Sequence, residues 1–287
     1  MRTYKDRTGR FICEQFADIY EFLDTIEERP VNNAFKKHRG ETKDLLPSRR
    51  ASESFTGTAS WEAAHDLMER GYEEGVNLIL NAGMKPTGGT LHRYETAVVG
   101  FAPCIPNAIM GLPDSMIRNR EHKQQMREVT INYAFGLLGG SQAEDIAIAS
   151  RRLLDAIASL EKDGIRVKLN LHWASKRDEH VRCVSITLKE ARQPINLRKI
   201  SYPLVHPSFL RRHLFAWMET APNIRVAFTE GYGGRVSDET QRAYMMQTQM
   251  MQPTDYFIST FTLAELSSAE DVIKYFQKQS NGAKRAI

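Results

Sequence analysis

The segment from Arg127 to Ala191 changes its apolar period twice, and that change limits the folds open to the chain. "REVTINYAFGL" is a near-continuous apolar run, the pattern of a strand buried on both faces. "SQAEDIAIASRRLLDAIASLEKDGI" then repeats at three and four, with Ile146, Ala149, Leu153, Ile157 and Leu160 on one face. Ser141 with Glu144 three residues on has the form of a capping box, and Gly164 supplies the stop. "IRVKLNLHWAS" reads as a second strand, with Val167, Leu169 and Leu171 on one side. The turn "SKRDEH" joins it to "VRCVSITLKEA". So short a connection leaves room only for antiparallel neighbours.

The flanking elements extend this pattern. "YPLVHPSFLRRHLFAWMETAP" predicts a helix beginning near Pro207, "NIRVAFTEGYGG" a strand and turn, and "DYFISTF" another strand. "SSAEDVIKYFQKQ" predicts a terminal helix, and "DETQRAYMMQTQMMQPT" a less regular one whose methionines fill core or form an adaptable surface. Upstream, "EQFADIYEFLDTIEER" has a helical period that stops before Pro30, and "KKHRGETKDLLPSRRASES" reads as a linker. Ser60 caps a helix that Gly71 and Gly75 weaken or divide. Val98, Val99 and Phe101 are expected in a short strand, followed by an extended segment punctuated by Pro103, Pro106 and Pro113. The expected organisation is an N-terminal helix and linker at 1–55, a helix plus proline-rich segment at 56–126, an α/β domain at 127–280 and a tail at 281–287. The predicted fold class is α/β: a mostly parallel sheet with an antiparallel edge hairpin in a layered sandwich, plus an N-terminal helical extension.

Several function classes are excluded or left without support. No apolar run approaches the roughly 20 residues that span a bilayer, and "MRTYKDRTGRFICEQF" lacks the apolar stretch of a secretory signal. Cys13, Cys104 and Cys183 are widely spaced, without a zinc or disulfide pattern. These features predict a cytoplasmic protein with no membrane partner. The P-loop requires Gly-Lys-Ser/Thr, which "FGLLGGSQ" does not contain. Gly136, Gly139 and Gly140 also have the wrong spacing for a dinucleotide fingerprint.

The order of strand, loop, long helix and antiparallel hairpin over residues 127–280 resembles the von Willebrand factor A domain, a Rossmann-like layered sandwich. That family's metal site opens with Asp-x-Ser-x-Ser after the first strand. Here "YAFGLLGGS" stands in its place without a carboxylate. The resemblance therefore implies a lost metal site, and no metal or cofactor is expected. An anion at the helix start, against Gly139, Gly140 and Ser141, is one alternative to an empty turn. "WEAAHDLMERG" and "PNAIMGLPDSM" are similar to segments of uncharacterised bacteriophage and mobile-element proteins, which implies a genomic setting only.

The remaining candidates are separate side chains. His172 and Ser175 at a strand end, with Glu230, are candidate catalytic residues; a buried structural histidine is the competing reading of His172. Cys104 reads as a nucleophile or a small hydrophobe. In "TEGYGGRVSDE", Arg235 follows a glycine turn and could hold an anion, or the stretch is a plain surface loop. A net charge of +4 and a pI near 8.9 leave nucleic-acid binding open, with Arg211, Arg212, His213, Arg118 and Arg120 as contacts. The favoured expectation is a non-enzymatic binding or assembly protein with a protein partner. The alternative is a nucleic-acid-binding protein of phage replication, packaging or host takeover. An enzyme with an unfamiliar site is a third reading.

Overall fold

The chain opens with two strands that the sequence pattern did not announce. Arg2–Lys5 (β1) and Phe11–Phe16 (β2) pair antiparallel, and Phe11, Cys13 and Phe16 of β2 are fully buried. The computed structural model describes residues 1–33, 42–81, 93–120, 127–136, 143–222 and 232–285. These form two compact units, one of Met1–Lys85 with Glu128–Ile287 and a smaller one of Pro86–Arg127.

In the larger unit, Ile19–Glu28 (α1) follows β2, and Asp18 caps it by accepting from the Tyr20 and Glu21 amides. Pro47–Arg50 (α2) and Glu53–Thr56 (α3) are single turns. Trp61–Arg70 (α4) begins at the expected Ser60 cap, and Glu73–Asn81 (α5) follows as a separate helix. The division falls at Gly71, whose φ of +91° no side chain adopts easily; a Cβ there would lie 2.3 Å from Arg198 Cγ.

The smaller unit contains Arg93–Ala97 (β3), Ala102–Pro103 (β4), Ile105–Ile109 (α6) and Met116–Arg120 (β5). Both β3 and β4 pair antiparallel with β5. The strand expected at Val98–Phe101 is instead the exposed turn after β3. It carries the chain from β3 to β4 on the other side of β5, with the Phe101 amide donating to the Ile117 carbonyl at 2.9 Å.

The larger unit continues with Glu128–Ala134 (β6), Ala143–Lys162 (α7), Arg166–Arg177 (β7) and His180–Lys189 (β8). Then come Leu197–Val205 (α8), a π-helical turn at Phe209–Leu214 and Phe215–Thr220 (α9). Gly234–Arg235 (β9), Asp238–Gln247 (α10), Tyr256–Ser259 (β10), Thr260–Glu265 (α11) and Ala269–Arg285 (α12) complete it. The apolar stripe expected on α7 is buried, and Gly164 ends the helix at φ +81°.

The main sheet runs β1-β2-β8-β7-β6-β10, with β9 pairing to the far end of β7. The fold is mixed α/β with a mostly parallel central sheet: β2/β8, β7/β6 and β6/β10 are parallel. The hairpin β7/β8 is antiparallel as expected, yet it is interior, because β2 pairs along β8; the antiparallel edge is β1. The first 16 residues therefore complete the sheet, and α4 and α5 belong to the same unit as the strands. The expected break near residue 126 lies at the Arg127/Glu128 boundary of the small unit, whose other boundary falls at Lys85/Pro86 and not near residue 55. One sheet face, with Ile131, Tyr133, Leu169, Leu171, Val184 and Ile186, packs under the helices. Met245 and Met251 are buried core on the opposite face. Register also brings Cys13 opposite Cys183; both are buried free thiols, and burial pushes the Cys13 thiol well above its ordinary range.

A single buried cation fastens the short helices to this frame. Arg212 is fully buried, and its five N–H groups all find acceptors. Nε donates to Thr58 Oγ1 at 2.8 Å, Nη1 to the Ser48 and Arg49 carbonyls at 3.2 and 3.1 Å, and Nη2 to the Ala51 and Thr58 carbonyls at 3.1 and 2.8 Å. Only a guanidinium offers five donors in one plane; an ammonium offers three. Arg212→Lys is therefore expected to lower stability by about 2–4 kcal/mol, read as the urea-unfolding midpoint. Arg211→Lys, on the half-buried neighbour, should stay within about 1 kcal/mol.

Candidate functional site

The carboxyl ends of the parallel strands β6 and β10 converge with the middle of β7, which is where α/β sheets leave a crevice. A cavity of about 180 Å³ lies there, lined by Ala134 of β6, Trp173 and Ser175 of β7, Ser259 of β10, and Arg235, Asp238 and Gln241 around the start of α10. Aromatic side chains supply much of the wall: Phe135, Trp173, Phe215, Tyr232 and Phe261.

Several polar groups here are connected through Asp238. Asp238 Oδ1 accepts from Arg235 Nη2 at 3.2 Å, and Oδ2 accepts from the hydroxyls of Ser259 and Thr262 at 2.5 and 3.2 Å. Ser259 also caps α11 by accepting from the Thr262 amide. The Arg235 guanidinium lies 3.6 Å from the centre of the Phe261 ring, a cation–π contact that fixes its plane. Gln241 is buried, and its Nε2 has no hydrogen-bond partner among the described residues. A shielded donor left unpaired costs about 1–3 kcal/mol, so an acceptor reaching it gains that much.

Ser175 serves the cavity wall. Its hydroxyl donates to the Tyr232 carbonyl, and Gly233 packs so closely that a Cβ would lie 2.3 Å from Ser175 Oγ. The φ of +79° at Gly233 and this approach together explain the glycine in the turn.

His172 does not join Ser175, because three residues along a strand place them on opposite faces. Its Nε2 pairs with Asn132 Oδ1 at 2.9 Å in a buried ladder that also includes Asn170 and Thr187, and its Nδ1 has no partner. Burial holds its pKa down to about 3, so the ring is neutral and unfit as a base near pH 7. Arg235 and Ser175 are thus the two anticipated site residues that meet. Glu230, Gly139, Gly140 and Ser141 lie outside the described residues.

The expected basic cluster is dispersed by burial. Arg212 and His213 are fully buried, so neither can reach a phosphate. Arg211 lies over the Phe55 ring and donates to the Phe55 carbonyl. Arg118 is exposed on β5, and the Arg120 backbone pairs with Arg93. Among the described residues no group of three His, Cys, Asp or Glu is placed to hold a metal, and no described helix is long and apolar enough to cross a membrane.

A second surface belongs to the small unit. Val98, Val99, Phe101, Ile105, Ile109 and Met110 are all exposed, Val99 at 76% and Ile109 at 80%. Gly100 allows the turn to close on β5, where a Cβ would lie 2.1 Å from the Ile117 carbonyl oxygen. Asn107 Nδ2, donating to the Asp114 carbonyl at 3.0 Å, holds the short helix against the following loop. Cys104 precedes that helix, half-buried, without a partnered histidine among the described residues.

A family model described as a domain of unknown function, DUF7192, matches residues 5–281. The chain belongs to the DUF7192 family. No curated protein and no solved structure matches it. The match takes in both units and all the DUF7192 site residues named above.

No local motif marks Glu219, which supports the cavity wall through Tyr232. It is fully buried and accepts from the Ser48 amide at 3.1 Å and from the hydroxyls of Ser48 and Tyr232. The Tyr232 ring stacks on Phe215 with centroids 3.6 Å apart, so this carboxyl positions one wall of the cavity. Burial raises the Glu219 pKa from about 4.5 to about 7, against the opposing pull of its three donors. A carboxyl harder to ionise in the folded protein than in the unfolded chain weakens folding once the unfolded form has ionised. Stability should therefore fall as pH rises from about 4.5 to about 7, by on the order of 3 kcal/mol, and then level off. Glu219→Gln should remove most of that slope in a pH series of urea-unfolding curves.

Proposed function

We propose that the protein is a non-enzymatic binding or assembly protein that docks on a partner protein through residues 98–112 of the small unit. The observation that carries this reading is an exposed apolar surface without cations. From Thr96 to Ile117 the only charged residue is Asp114, while Val98, Val99, Ile105, Ile109 and Met110 face outward. Depletion of charge with retained aromatic and methionine content marks the centre of protein interfaces. A nucleic acid or an anionic lipid surface needs Lys or Arg at the contact, and this patch offers neither. The burial of Arg212 and His213 also weighs against the nucleic-acid alternative.

The larger unit acts in this reading as the platform. Its order of strand, long helix and antiparallel hairpin, with β10 added parallel to β6, supports a von Willebrand factor A-like core. The β1/β2 pair against β8 is an addition to that plan.

The test is site-specific photocross-linking in the native host from Val99 and Ile109, with Glu73 on the larger unit as control. One discrete protein adduct from both apolar positions, lost in an Ile105→Glu variant, is the expected result. A self-adduct, matched by a dimer in solution light scattering, identifies the partner as a second copy. Absence of any adduct, or salt-sensitive binding to labelled DNA or RNA at about 50 mM salt that is lost at about 200 mM, would overturn the reading.

A further inference from the structure

Resting on the docking reading above, we infer that the partner of the small unit is a second copy of the chain. Residues 98–112 of the two copies pack against each other across a twofold axis. Among the described residues of the small unit none is fully buried. Met116 and Ile117 of β5 are half-buried, while Val98 and Val99 of the turn and Ile105 and Ile109 of α6 are exposed. A fold that encloses no core has little to offset the entropy of ordering its chain. At about 40 residues the unit also has the size at which a core of its own stops sufficing, and oligomerisation is a usual supplement.

The exposed groups are held in one short stretch. The Phe101 amide donates to the Ile117 carbonyl at 2.9 Å, and the Cys104 amide to the Ser115 carbonyl at 2.7 Å. These bonds fasten the turn and the start of α6 to the same part of the unit. Ile105 and Ile109 lie one turn apart, on the same side of α6. With Val98, Val99, Met110 and Leu112 they expose roughly 700 Å², most of the about 800 Å² that each partner brings to a stable interface. The largest apolar patch on a typical monomer covers only about 300–600 Å².

Charge favours a second copy over an unrelated protein. Complementary charges steer and select a different partner. Between Thr96 and Ile117 the only charged residue is Asp114, which is half-buried and accepts from Thr96 Oγ1 at 3.4 Å. Apart from that tied carboxylate the surface carries no charge, so it meets its own image without opposing like charges, as a twofold contact requires. Interfaces between identical chains are also the more apolar class, resembling a core cut in half.

The experiment is sedimentation equilibrium of the purified full chain across the micromolar range. A monomer–dimer equilibrium with a micromolar or tighter Kd is expected, as interfaces of this size give. Val99→Glu and Ile109→Glu should each weaken it at least about tenfold, and Glu73→Lys on the larger unit by less than about twofold. A charge that unfolds the small unit would mimic this loss, so an uncharged photocross-linker at Ile109 of the purified chain supplies a second reading. Its self-adduct should map by mass spectrometry to residues 98–112 of the other copy. A chain that stays monomeric while Val99 and Ile109 capture a different protein in the host overturns the second copy and leaves the docking reading standing. A monomer with no adduct in the host overturns both. A dimer indifferent to both glutamates, or a self-adduct that maps to the larger unit, overturns the twofold contact proposed for the small unit.

Discussion

The buried Arg212 guanidinium is the contact on which the arrangement of the larger unit depends. It sits on the π-helical turn before α9 and takes its acceptors from residues 48–58, a stretch with little regular structure of its own. Backbone carbonyls in such a stretch must find donors once water is excluded. One planar cation with five donors meets that need at once. Ser48 is held on both sides, its carbonyl by Arg212 and its amide by Glu219. From Glu219 the contacts continue through Tyr232 to Phe215 and Ser175. The N-terminal segment and the cavity wall thus share one chain of polar and aromatic contacts.

A similar economy holds in the sheet. Glu14 on β2 accepts from Arg29 Nη1 at 2.7 Å and from Trp217 Nε1 at 2.8 Å, joining the strand to α1 and α9. A buried carboxylate left without such partners is costly, and here the partners come from two other parts of the chain. Several buried polar groups in this protein therefore act as joints between elements. Others, among them His172 Nδ1 and Gln241 Nε2, reach no hydrogen-bond partner among the described residues.

Much of the central architecture was legible in the sequence. The change of period at β6, α7 and β7 was readable because each element must bury one face and the periods of strand and helix differ. The hairpin β7/β8 followed from its short turn, and Ser60 and Gly164 marked helix ends by local chemistry. The N-terminal strands were not readable in the same way. "FICEQF" is only six residues long and flanked by charge, and β2 becomes a strand because β8 offers it a parallel ladder about 170 residues away. Of the site, Ser175 and Arg235 stood out locally, next to a strand end and a glycine turn. Asp238, Gln241 and Ser259 did not, because each is an ordinary cap or helix residue until β10 and β7 bring them together.

The sequence by itself determined the periods, the caps and the absence of nucleotide-binding signatures, since these depend on neighbours within one turn or one strand. Tertiary structure alone decided which charges are available. Arg211, Arg212 and His213 are equivalent as letters, yet only Arg211 retains any exposure, because a helix turns its residues toward different surroundings. Burial likewise gave Glu219 its raised pKa and left His172 neutral. Solvation free energy depends on everything packed around a group, and in this fold those surroundings are assembled from segments far apart in the chain.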